Sequence, residues 1–333
     1  MKAAVFEAFG EPSQMLNIRD VPDPMPGPGE VRVRMILSPI NPSDLLVVQG
    51  LYGVLPKLPS TPGFEGVGIV DEVGPGLLAQ LLKLKGKRVV AINSAGGNWA
   101  DMAIIPARQA RPIPDDISDE QAACFFVNPA TVLAMARHVL AVPKGEWLLQ
   151  SAAGSTLGRM LINLGRHDGF KTLNVVRRRE AIDELKTLGG DAVISSSDGP
   201  IDEQVRRITG GDGAKHAVDP VGGETGTGVF RSLAPDGRLV LYGTLSGEPI
   251  SVDPRLVISG PRTVEGFWLG HWMRERSIPS ALLVFREIAA LIRKGVLRSE
   301  IGEVFPLEQI KDAARLAGVV GRQGKVLLKI GEK

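Results

Sequence analysis

The chain has 333 residues, of which 44% are apolar and 23% charged, a composition typical of a globular protein large enough for two domains. Its 39 basic and 37 acidic residues leave a net charge of only +2, so we expect no polycationic surface for nucleic acid. The single cysteine, Cys124, excludes a disulfide within the chain and a cysteine-rich zinc site.

The N-terminal sequence predicts neither a targeting peptide nor a membrane anchor. No apolar run reaches the roughly 20 residues needed to cross a bilayer. The opening segment, MKAAVFEAF, alternates like a strand and lacks the apolar core of a secretory signal. We therefore expect a protein that is cytoplasmic, or already processed, and that has no membrane partner.

The first part of the chain, up to about residue 115, predicts a mostly antiparallel β domain. Its short segments alternate apolar and polar residues, and turns rich in Gly and Pro, such as PDPMPGPGE and STPGFEG, separate them. The predicted strands are Met1–Phe6, Glu30–Leu37, Gly66–Val73, Lys87–Asn93 and Met102–Ile105.

From about residue 120 the pattern changes. A helical stretch is predicted from Ser118 to Leu140, with Ser118 as its N-cap and Gln121 completing a capping box. Strands and helices then alternate, which indicates βαβ units and a parallel sheet with helices on both faces. The predicted strands are Trp147–Gln150, Thr172–Val176, Ala192–Ile194, His216–Asp219, Arg238–Tyr242 and Thr263–Trp268, and the predicted helices are Thr156–His167, Glu180–Leu188, Ile201–Thr209, Thr225–Leu233 and Pro254–Ile258. This order fits a dinucleotide-binding, doubly wound domain.

A helix near Pro279 to Arg293 and a closing strand, Lys325 to Ile330, follow the sixth strand. The remaining residues are few for a third domain, so we expect them to complete the first one. The predicted fold class is therefore α/β, with a β domain formed by residues 1–124 and 271–333 and a dinucleotide-binding domain formed by residues 125–270.

The strand-to-helix segment WLLQSAAGSTLGRMLINL is the strongest local indication of a ligand site. Small residues at such a junction let the backbone approach a pyrophosphate, and the helix N-terminus offers free N–H groups and about half a positive charge. The pattern is not a complete GxGxxG, so an ordinary small-residue turn is the alternative. The candidate cofactor-binding residues are Gly154, Ser155, Thr156, Leu157 and Gly158.

Three consecutive arginines, Arg177, Arg178 and Arg179, predict the type of dinucleotide. They follow the second strand of the alternating region, about twenty residues after the glycine turn, where NAD-binding proteins place an acidic residue for the ribose 2′-hydroxyl. Arginine forks match a 2′-phosphate instead. A solvated basic start to the next helix is the alternative, but the position favours NADPH.

Further motifs extend over nearly the whole chain. Together they resemble those of the medium-chain dehydrogenase/reductase superfamily, and within it the zinc-free 2-enoyl thioester reductases (mitochondrial-type trans-2-enoyl-CoA reductases), relatives of the quinone oxidoreductases. The motifs are Ile40-Asn-Pro-Ser-Asp44, Gln49-Gly-Leu-Tyr-Gly53, Asn128-Pro-Ala-Thr131, Asn174-Val-Val-Arg177, Val221-Gly-Gly223, Tyr242-Gly243 and Gly266-Phe-Trp-Leu-Gly-His-Trp272. The resemblance implies a GroES-like β-barrel domain built from both chain ends and an inserted Rossmann domain.

The resemblance also implies a reaction without zinc. Zinc-containing members of the superfamily carry Cys-His where this chain has Asn41-Pro42, and Gly-His-Glu where it has Gly63-Phe64-Glu65. The four histidines show no metal-ligand spacing. We therefore expect no metal, and direct alcohol oxidation is disfavoured because no metal would polarise the carbonyl.

In the thioester reductases, the tyrosine of the Gly-x-Tyr-Gly segment is the catalytic donor, and Tyr52 matches it. A turn-anchoring or surface tyrosine is the alternative. The resemblance implies that Asn41 orients Tyr52 or contacts substrate, whereas an Asx turn before Pro42 would be a purely structural role.

The resemblance further implies cofactor contacts outside the glycine turn. Asn128 and Thr131 match a cofactor-contacting pair, with helix capping or an internal helix hydrogen bond as the alternative. Tyr242, Gly243, Phe267 and Trp268 lie at the carboxyl ends of late strands, where open α/β sheets bind ligands; the two aromatic residues could instead belong to the core. Lys325 matches a cofactor-contacting lysine.

These observations predict an enzyme that uses NADPH to reduce an activated carbon–carbon double bond. The favoured substrate is a trans-2-enoyl thioester, with hydride transfer to the β carbon and Tyr52 as proton donor or enolate stabiliser. The alternatives are an NADPH quinone or enone oxidoreductase and a non-catalytic NADPH-binding protein. Relatives commonly pair through the last Rossmann strand, here near Thr263 to Trp268, so a homodimer is expected.

Overall fold

The computed structural model describes residues 1–76 and 81–332. It contains two compact units, of which the first combines Met1–Asn128 with Arg298–Lys333 and the second comprises Pro129–Leu297. The first boundary lies close to the predicted position, but the second lies after the helix Ile278–Arg293 instead of before it. This helix lies within the second unit, where its Glu287 forms an ion pair with Arg137.

The first unit is built on a mostly antiparallel sheet formed by both ends of the chain. Its strands are β1 (Lys2–Val5), β2 (Asn17–Asp20), β3 (Glu30–Pro39), β4 (Glu65–Val73), β5 (Arg88–Ile92), β6 (Met102–Pro106), β7 (Ala110–Pro112), β14 (Ile301–Pro306) and β15 (Lys325–Lys329). The large sheet has the order β14-β15-β3-β4-β5-β7, with β6 also paired to β3, while β1 and β2 form a separate pair. β15 runs antiparallel to β3, so the end of the chain completes the sheet, as the sequence predicts.

Helices in the described residues of the first unit connect these strands. They are Pro12–Met15, Pro42–Gln49, Asp119–Ala123 and Ile310–Gly318. The helix Pro42–Gln49 begins after Asn41 in an extended conformation and ends at Gly50, whose φ of 76° is the left-handed conformation that glycine adopts without strain. Asn41 and the loop that contains Tyr52 therefore lie at opposite ends of one short helix.

The second unit is a Rossmann domain. Its strands are β8 (Trp147–Gln150), β9 (Lys171–Val176), β10 (Ala192–Ser195), β11 (Ala214–Asp219), β12 (Leu233–Leu241) and β13 (Arg262–Gly266). They form one sheet of order β10-β9-β8-β11-β12-β13, in which every neighbouring pair is parallel. This is the doubly wound order 3-2-1-4-5-6, and it places the topological switch between β8 and β11.

The helices of the second unit follow the alternation predicted from the sequence. They are Thr156–Asp168, Ala181–Leu188, Ile201–Thr209, Gly223–Arg231, Pro254–Ser259, Leu269–Arg274 and Ile278–Arg293. The buried faces of the sheet carry apolar residues such as Leu149, Leu173 and Leu239. No helix within the described parts of the chain has the length and apolar character to span a bilayer.

The predicted continuous helix from Ser118 to Leu140 is wrong. The segment is divided into Asp119–Ala123, Val127–Leu133 and a π-helical turn, Ala134–Val139. Ser118 caps the first piece as expected, but the Gln121 side chain exchanges hydrogen bonds with the backbone of Ser299 instead of closing a capping box. A distant carboxylate, Glu65, accepts the Phe126 and Val127 N–H groups at 2.9 Å each, and so starts a new helix.

Candidate active site

The junction between β8 and the helix Thr156–Asp168 has the geometry of an anion-binding turn. Ser155 caps the helix, and its Oγ accepts a hydrogen bond from Gly158 N at 3.1 Å. A Cβ at Gly154 would meet no atom within 4 Å, so that face of the turn is open. A Cβ at Gly158 would lie 2.5 Å from Ala153 O, so the tight turn requires glycine there. The turn from Gly154 to Gly158 therefore fits a pyrophosphate approached by backbone N–H groups.

All three predicted arginines lie directly after β9 and are exposed. β9 is the neighbour of β8, whose carboxyl end leads into the glycine turn. Arg179 forms an ion pair with Asp198, beyond the end of β10. The backbone where the arginines begin is fixed because Ser195 Oγ donates a hydrogen bond to Arg177 O at 3.0 Å. Exposed guanidinium groups after the second strand of a doubly wound sheet have the chemistry to bind a 2′-phosphate.

A buried carboxylate that the sequence analysis missed, Asp219, organises the same edge of the sheet. It is the last residue of β11, and it accepts hydrogen bonds from Ser151 Oγ and, at 2.7 Å, from Gly222 N. Its carbonyl accepts a hydrogen bond from Tyr242 N at 3.1 Å. Burial raises the pKa of Asp219, and burial together with this carboxylate raises the pKa of Tyr242, so the phenol stays neutral. The only feature of the sequence that pointed to this carboxylate was the acidic residue at the end of the predicted strand.

The predicted aromatic residues lie at the carboxyl end of the last strand of this sheet. Phe267 and Trp268 follow β13 and are half-buried, and Phe267 N donates a hydrogen bond to Leu241 O at 2.7 Å. The Phe267 ring is 6.4 Å from that of Trp272, and the Trp268 ring stacks on His271 at 4.7 Å. They lie at the edge where doubly wound domains bind dinucleotides.

The remaining predicted cofactor residues have different environments. Asn128 is half-buried and Thr131 is buried, one helical turn apart in the helix Val127–Leu133. Gly243 packs against the end of the neighbouring strand, where a Cβ would lie 2.8 Å from Pro220 O.

In the first unit, four buried polar side chains form one hydrogen-bonded network. Asn41 Nδ2 donates to Glu65 Oε1 at 3.1 Å, and Lys325 Nζ donates to Asn41 Oδ1. Asp44 Oδ2 accepts the Asn41 N–H at 2.8 Å. Each of the four residues is at most 2% exposed. Asn41 occupies the position at which zinc-containing relatives are expected to carry a metal ligand. Lys325, which the sequence analysis predicted to contact the cofactor, is hydrogen-bonded to Asn41 in this network.

The network holds one potential cation and two potential anions away from water. Burial raises the pKa of Asp44 to about 7 and also raises the pKa of Glu65, although Lys325 opposes both shifts. Burial lowers the pKa of Lys325, and the nearby carboxylates oppose that shift. The Asp44 and Glu65 carboxyls were missed from the sequence because nothing local distinguishes them from surface acidic residues.

Tyr52 contacts this network indirectly, through the ring of Phe64. Its ring lies 5.3 Å from that of Phe64, and Phe64 N donates a hydrogen bond to Asp44 Oδ1 at 3.0 Å. Tyr52 is half-buried, and it packs on an apolar cluster that includes Ile40 and Leu45. The structure therefore places the predicted catalytic tyrosine on a fixed support and leaves part of it accessible.

Within residues 1–76 and 81–332, no group of three or more His, Cys, Asp or Glu side chains is arranged to hold a metal ion. At the position of Asn41, Lys325 Nζ donates a hydrogen bond to Asn41 Oδ1, and Asn41 Nδ2 donates one to Glu65 Oε1, so both oxygens are already engaged within the network.

Comparisons with known proteins agree with this architecture. Residues 27–115 match the alcohol dehydrogenase GroES-like domain, and residues 156–284 match the zinc-binding dehydrogenase family. The chain belongs to the medium-chain dehydrogenase/reductase superfamily. As such it is an oxidoreductase with a GroES-like domain and a Rossmann domain.

Individual relatives fall into two groups. The mitochondrial enoyl-[acyl-carrier-protein] reductase of Xenopus tropicalis is 33% identical, with 94% of this chain and 90% of the relative covered. Among solved structures, a Bacillus thuringiensis protein assigned as an NADPH:quinone reductase has a TM-score of 0.91 at 33% identity, covering 99% of both chains. Escherichia coli quinone oxidoreductase, solved in complex with NADPH, also has a TM-score of 0.91, at 26% identity, and covers 99% of this chain and 100% of its own.

Proposed function

We propose that this oxidoreductase uses NADPH to reduce the carbon–carbon double bond of a trans-2-enoyl thioester. The observation that carries the proposal is the placement of Tyr52, one of only two tyrosines in the chain. Its ring is held on Phe64, next to a buried polar network, in a segment that matches the donor segment of thioester reductases. The similarity to an enoyl-[acyl-carrier-protein] reductase over 94% of the chain supports the same substrate class.

The features of the second unit support NADPH as the cofactor. The open turn at Gly154 and the helix N-terminus behind it suit the pyrophosphate. Arg177 and Arg178 suit the 2′-phosphate, and Tyr242 and Phe267 suit the nicotinamide end at the carboxyl edge of the sheet. The quinone oxidoreductase of Escherichia coli, which shares this fold, was solved with NADPH bound.

The reaction needs a hydride at Cβ, stabilisation of the negative charge that develops on the thioester oxygen, and a proton at Cα. NADPH supplies the hydride when bound. The Tyr52 hydroxyl donates a hydrogen bond to the thioester oxygen as the enolate forms, and then gives its proton to Cα. The resulting phenolate regains a proton from solvent. Asn41, Glu65 and Lys325 act indirectly, because they fix the helix that precedes Tyr52.

The test is Tyr52→Phe, which keeps the packing of the ring on Phe64 and removes only the hydroxyl. Because general acid catalysis contributes about 10²–10⁴-fold, kcat on a crotonyl thioester should fall within that range, while NADPH binding is retained. Reduction of a quinone needs no proton at carbon and should suffer much less, so it serves as the internal control for folding. A variant as fast as the parent on the thioester would refute the role of Tyr52.

A quinone or enone reductase is the second candidate, and the solved structures favour it. It would use the same cofactor site without depending on Tyr52. If the parent reduces quinones with NADPH but no enoyl thioester, this candidate replaces the first. A protein that binds NADPH but turns over neither substrate would be the non-catalytic alternative.

We also propose a homodimer formed through β13. This strand is the last in its sheet, and Val264 on it is 37% exposed. An unpaired edge of this kind can pair with a second copy. Light scattering coupled to gel filtration should give twice the chain mass, and Val264→Lys should shift the protein towards monomer.

A further inference from the structure

Asp219 connects the beginnings of three loops at the carboxyl edge of the Rossmann sheet. Its carboxylate accepts hydrogen bonds from Ser151 Oγ, in the loop after β8, and from Gly222 N at 2.7 Å, in the loop after β11. Its carbonyl accepts the Tyr242 N–H, at the end of β12, at 3.1 Å. Asp219 is fully buried, so the fold has to supply donors to this carboxylate.

The glycines of the loop after β11 let the backbone approach this carboxylate closely. Gly222 has a φ of 73°, and a Cβ there would lie 2.8 Å from Glu248 O. One turn into the helix that follows, a Cβ at Gly226 would lie 2.7 Å from Asp219 Oδ2. The Val-Gly-Gly motif and the following glycine therefore make room for a carboxylate that is bonded to the loop after β8.

The loop after β8 contains a strained residue directly beside the Asp219 contact. Ala152 has a φ of 49°, in the left-handed region that disfavours residues with a Cβ. Ser151 on one side is fully buried and bonded to Asp219. On the other side, Ala153 N donates to Val175 O at 3.1 Å. A conformation of this kind persists only where contacts on both sides impose it.

Ala152 determines the direction of the glycine turn. Its carbonyl accepts a hydrogen bond from Ser155 N at 2.9 Å, and Ser155 is the N-cap of the helix Thr156–Asp168. Gly154 and Ser155 are exposed, and they form the part of the turn that fits a pyrophosphate. The strained residue therefore links the buried Asp219 contact to the surface that the phosphates would meet.

We propose that Asp219, acting through Ser151, is a positioning residue for NADPH that holds the glycine turn in its strained, phosphate-accepting shape. This inference rests on the proposed placement of the pyrophosphate at that turn. Without the Ser151 hydrogen bond Ala152 relaxes, and the turn has to be formed again when the cofactor binds. Part of the binding free energy is then spent on ordering the turn, so affinity falls.

The first test is Ser151→Ala, which removes only the hydroxyl that is donated to Asp219. The dissociation constant for NADPH, measured by calorimetry, should rise by about 5- to 30-fold. The dissociation constant for 2′-AMP, measured by competition, should stay unchanged, because this fragment carries the adenosine and the 2′-phosphate but no pyrophosphate.

Ser232→Ala is the matched control in the same unit. Ser232 is also buried, and its Oγ donates a hydrogen bond to Gly228 O at 2.7 Å. It lies directly before β12, at the opposite edge of the sheet from the glycine turn. This variant loses a comparable hydrogen bond and should bind both NADPH and 2′-AMP as the parent does.

The second test removes the strain itself. Glycine adopts the left-handed conformation without a steric cost, so a turn with Ala152→Gly depends less on the Asp219 contact. Adding Ala152→Gly to Ser151→Ala should therefore recover part of the lost NADPH affinity. A double variant that binds NADPH no better than Ser151→Ala would overturn the proposed role of the strain.

The outcomes separate this inference from the proposed function. If the parent binds NADPH and Ser151→Ala binds it equally well, the inference is wrong and the proposed function stands. An equal loss for NADPH and 2′-AMP, accompanied by a lower melting temperature, would mean general damage to the unit and would also overturn the inference. A parent that does not bind NADPH would overturn both.

Discussion

The choice of NADPH over NADH can be tested at a single side chain. Arg177 is the first residue after β9, it is exposed, and its backbone is fixed by Ser195. A charge-assisted hydrogen bond to a phosphate contributes about 1.5–3 kcal/mol, so Arg177→Ala should weaken NADPH binding by roughly 10- to 150-fold. NADH has no 2′-phosphate, so its affinity should hardly change.

The structure also ranks the arginines. Arg179 forms an ion pair with Asp198 in which the arginine side chain is 69% exposed and the aspartate 29%. Exposed pairs of this kind contribute about 0–1 kcal/mol, but the carboxylate offsets part of the charge that a phosphate would meet. Arg179→Ala should therefore affect NADPH less than Arg177→Ala, and replacing Arg177 and Arg178 together should cost about two orders of magnitude or more.

Dissociation constants for NADPH and NADH from calorimetry provide the measurement. Arg207→Ala is the matched control, since Arg207 is exposed on another helix of the same unit and its Nε donates only to the Glu203 carbonyl. Equal affinities for the two cofactors in the parent, or an equal loss for both in Arg177→Ala, would refute the reasoning.

Three further predictions test the stability of the sites. Gly158→Ala puts a Cβ 2.5 Å from Ala153 O and should lower the free energy of unfolding by about 1–3 kcal/mol in chemical denaturation. Gly154→Ala puts a Cβ where no atom lies within 4 Å, so it should leave the melting temperature unchanged and weaken NADPH binding. Equal melting temperatures for the two variants would count against the turn geometry. The pKa of Asp44 is raised from 3.8 to about 7 in the fold, so between these pH values the folded state retains a proton that the unfolded state loses. The free energy of unfolding should therefore fall as pH rises from about 4 to 7, by up to about 4 kcal/mol. Asp44→Asn should flatten this pH dependence while lowering stability overall, and an unchanged pH dependence would contradict the prediction. Dialysis against a chelator should change neither activity nor melting temperature, and stoichiometric zinc lost together with activity would disprove metal independence.

Local patterns were sufficient for most of the second unit. The strand Trp147–Gln150 and the helix Ile201–Thr209 occur with the predicted bounds. The inner strands β8 and β9 are buried along most of their length, so each appears in the sequence as a short, mostly apolar run followed by a helix. The glycine turn and the three arginines could also be predicted as candidate cofactor contacts, because this part of a dinucleotide site is formed by residues that are close together in the sequence.

Contacts between distant residues decided the rest. Lys325 is hydrogen-bonded to Asn41, which is 284 residues away in the sequence, and the Gln121 side chain is hydrogen-bonded to the backbone of Ser299, which is 178 residues away. Glu65 divides a predicted helix because it accepts N–H groups from Phe126 and Val127, which lie more than 60 residues away. A buried charge must find its partners wherever the fold brings them, since leaving it unpaired costs several kcal/mol. Those partners depend on how strands from both chain ends pair, so only the tertiary structure determined the network beneath Tyr52.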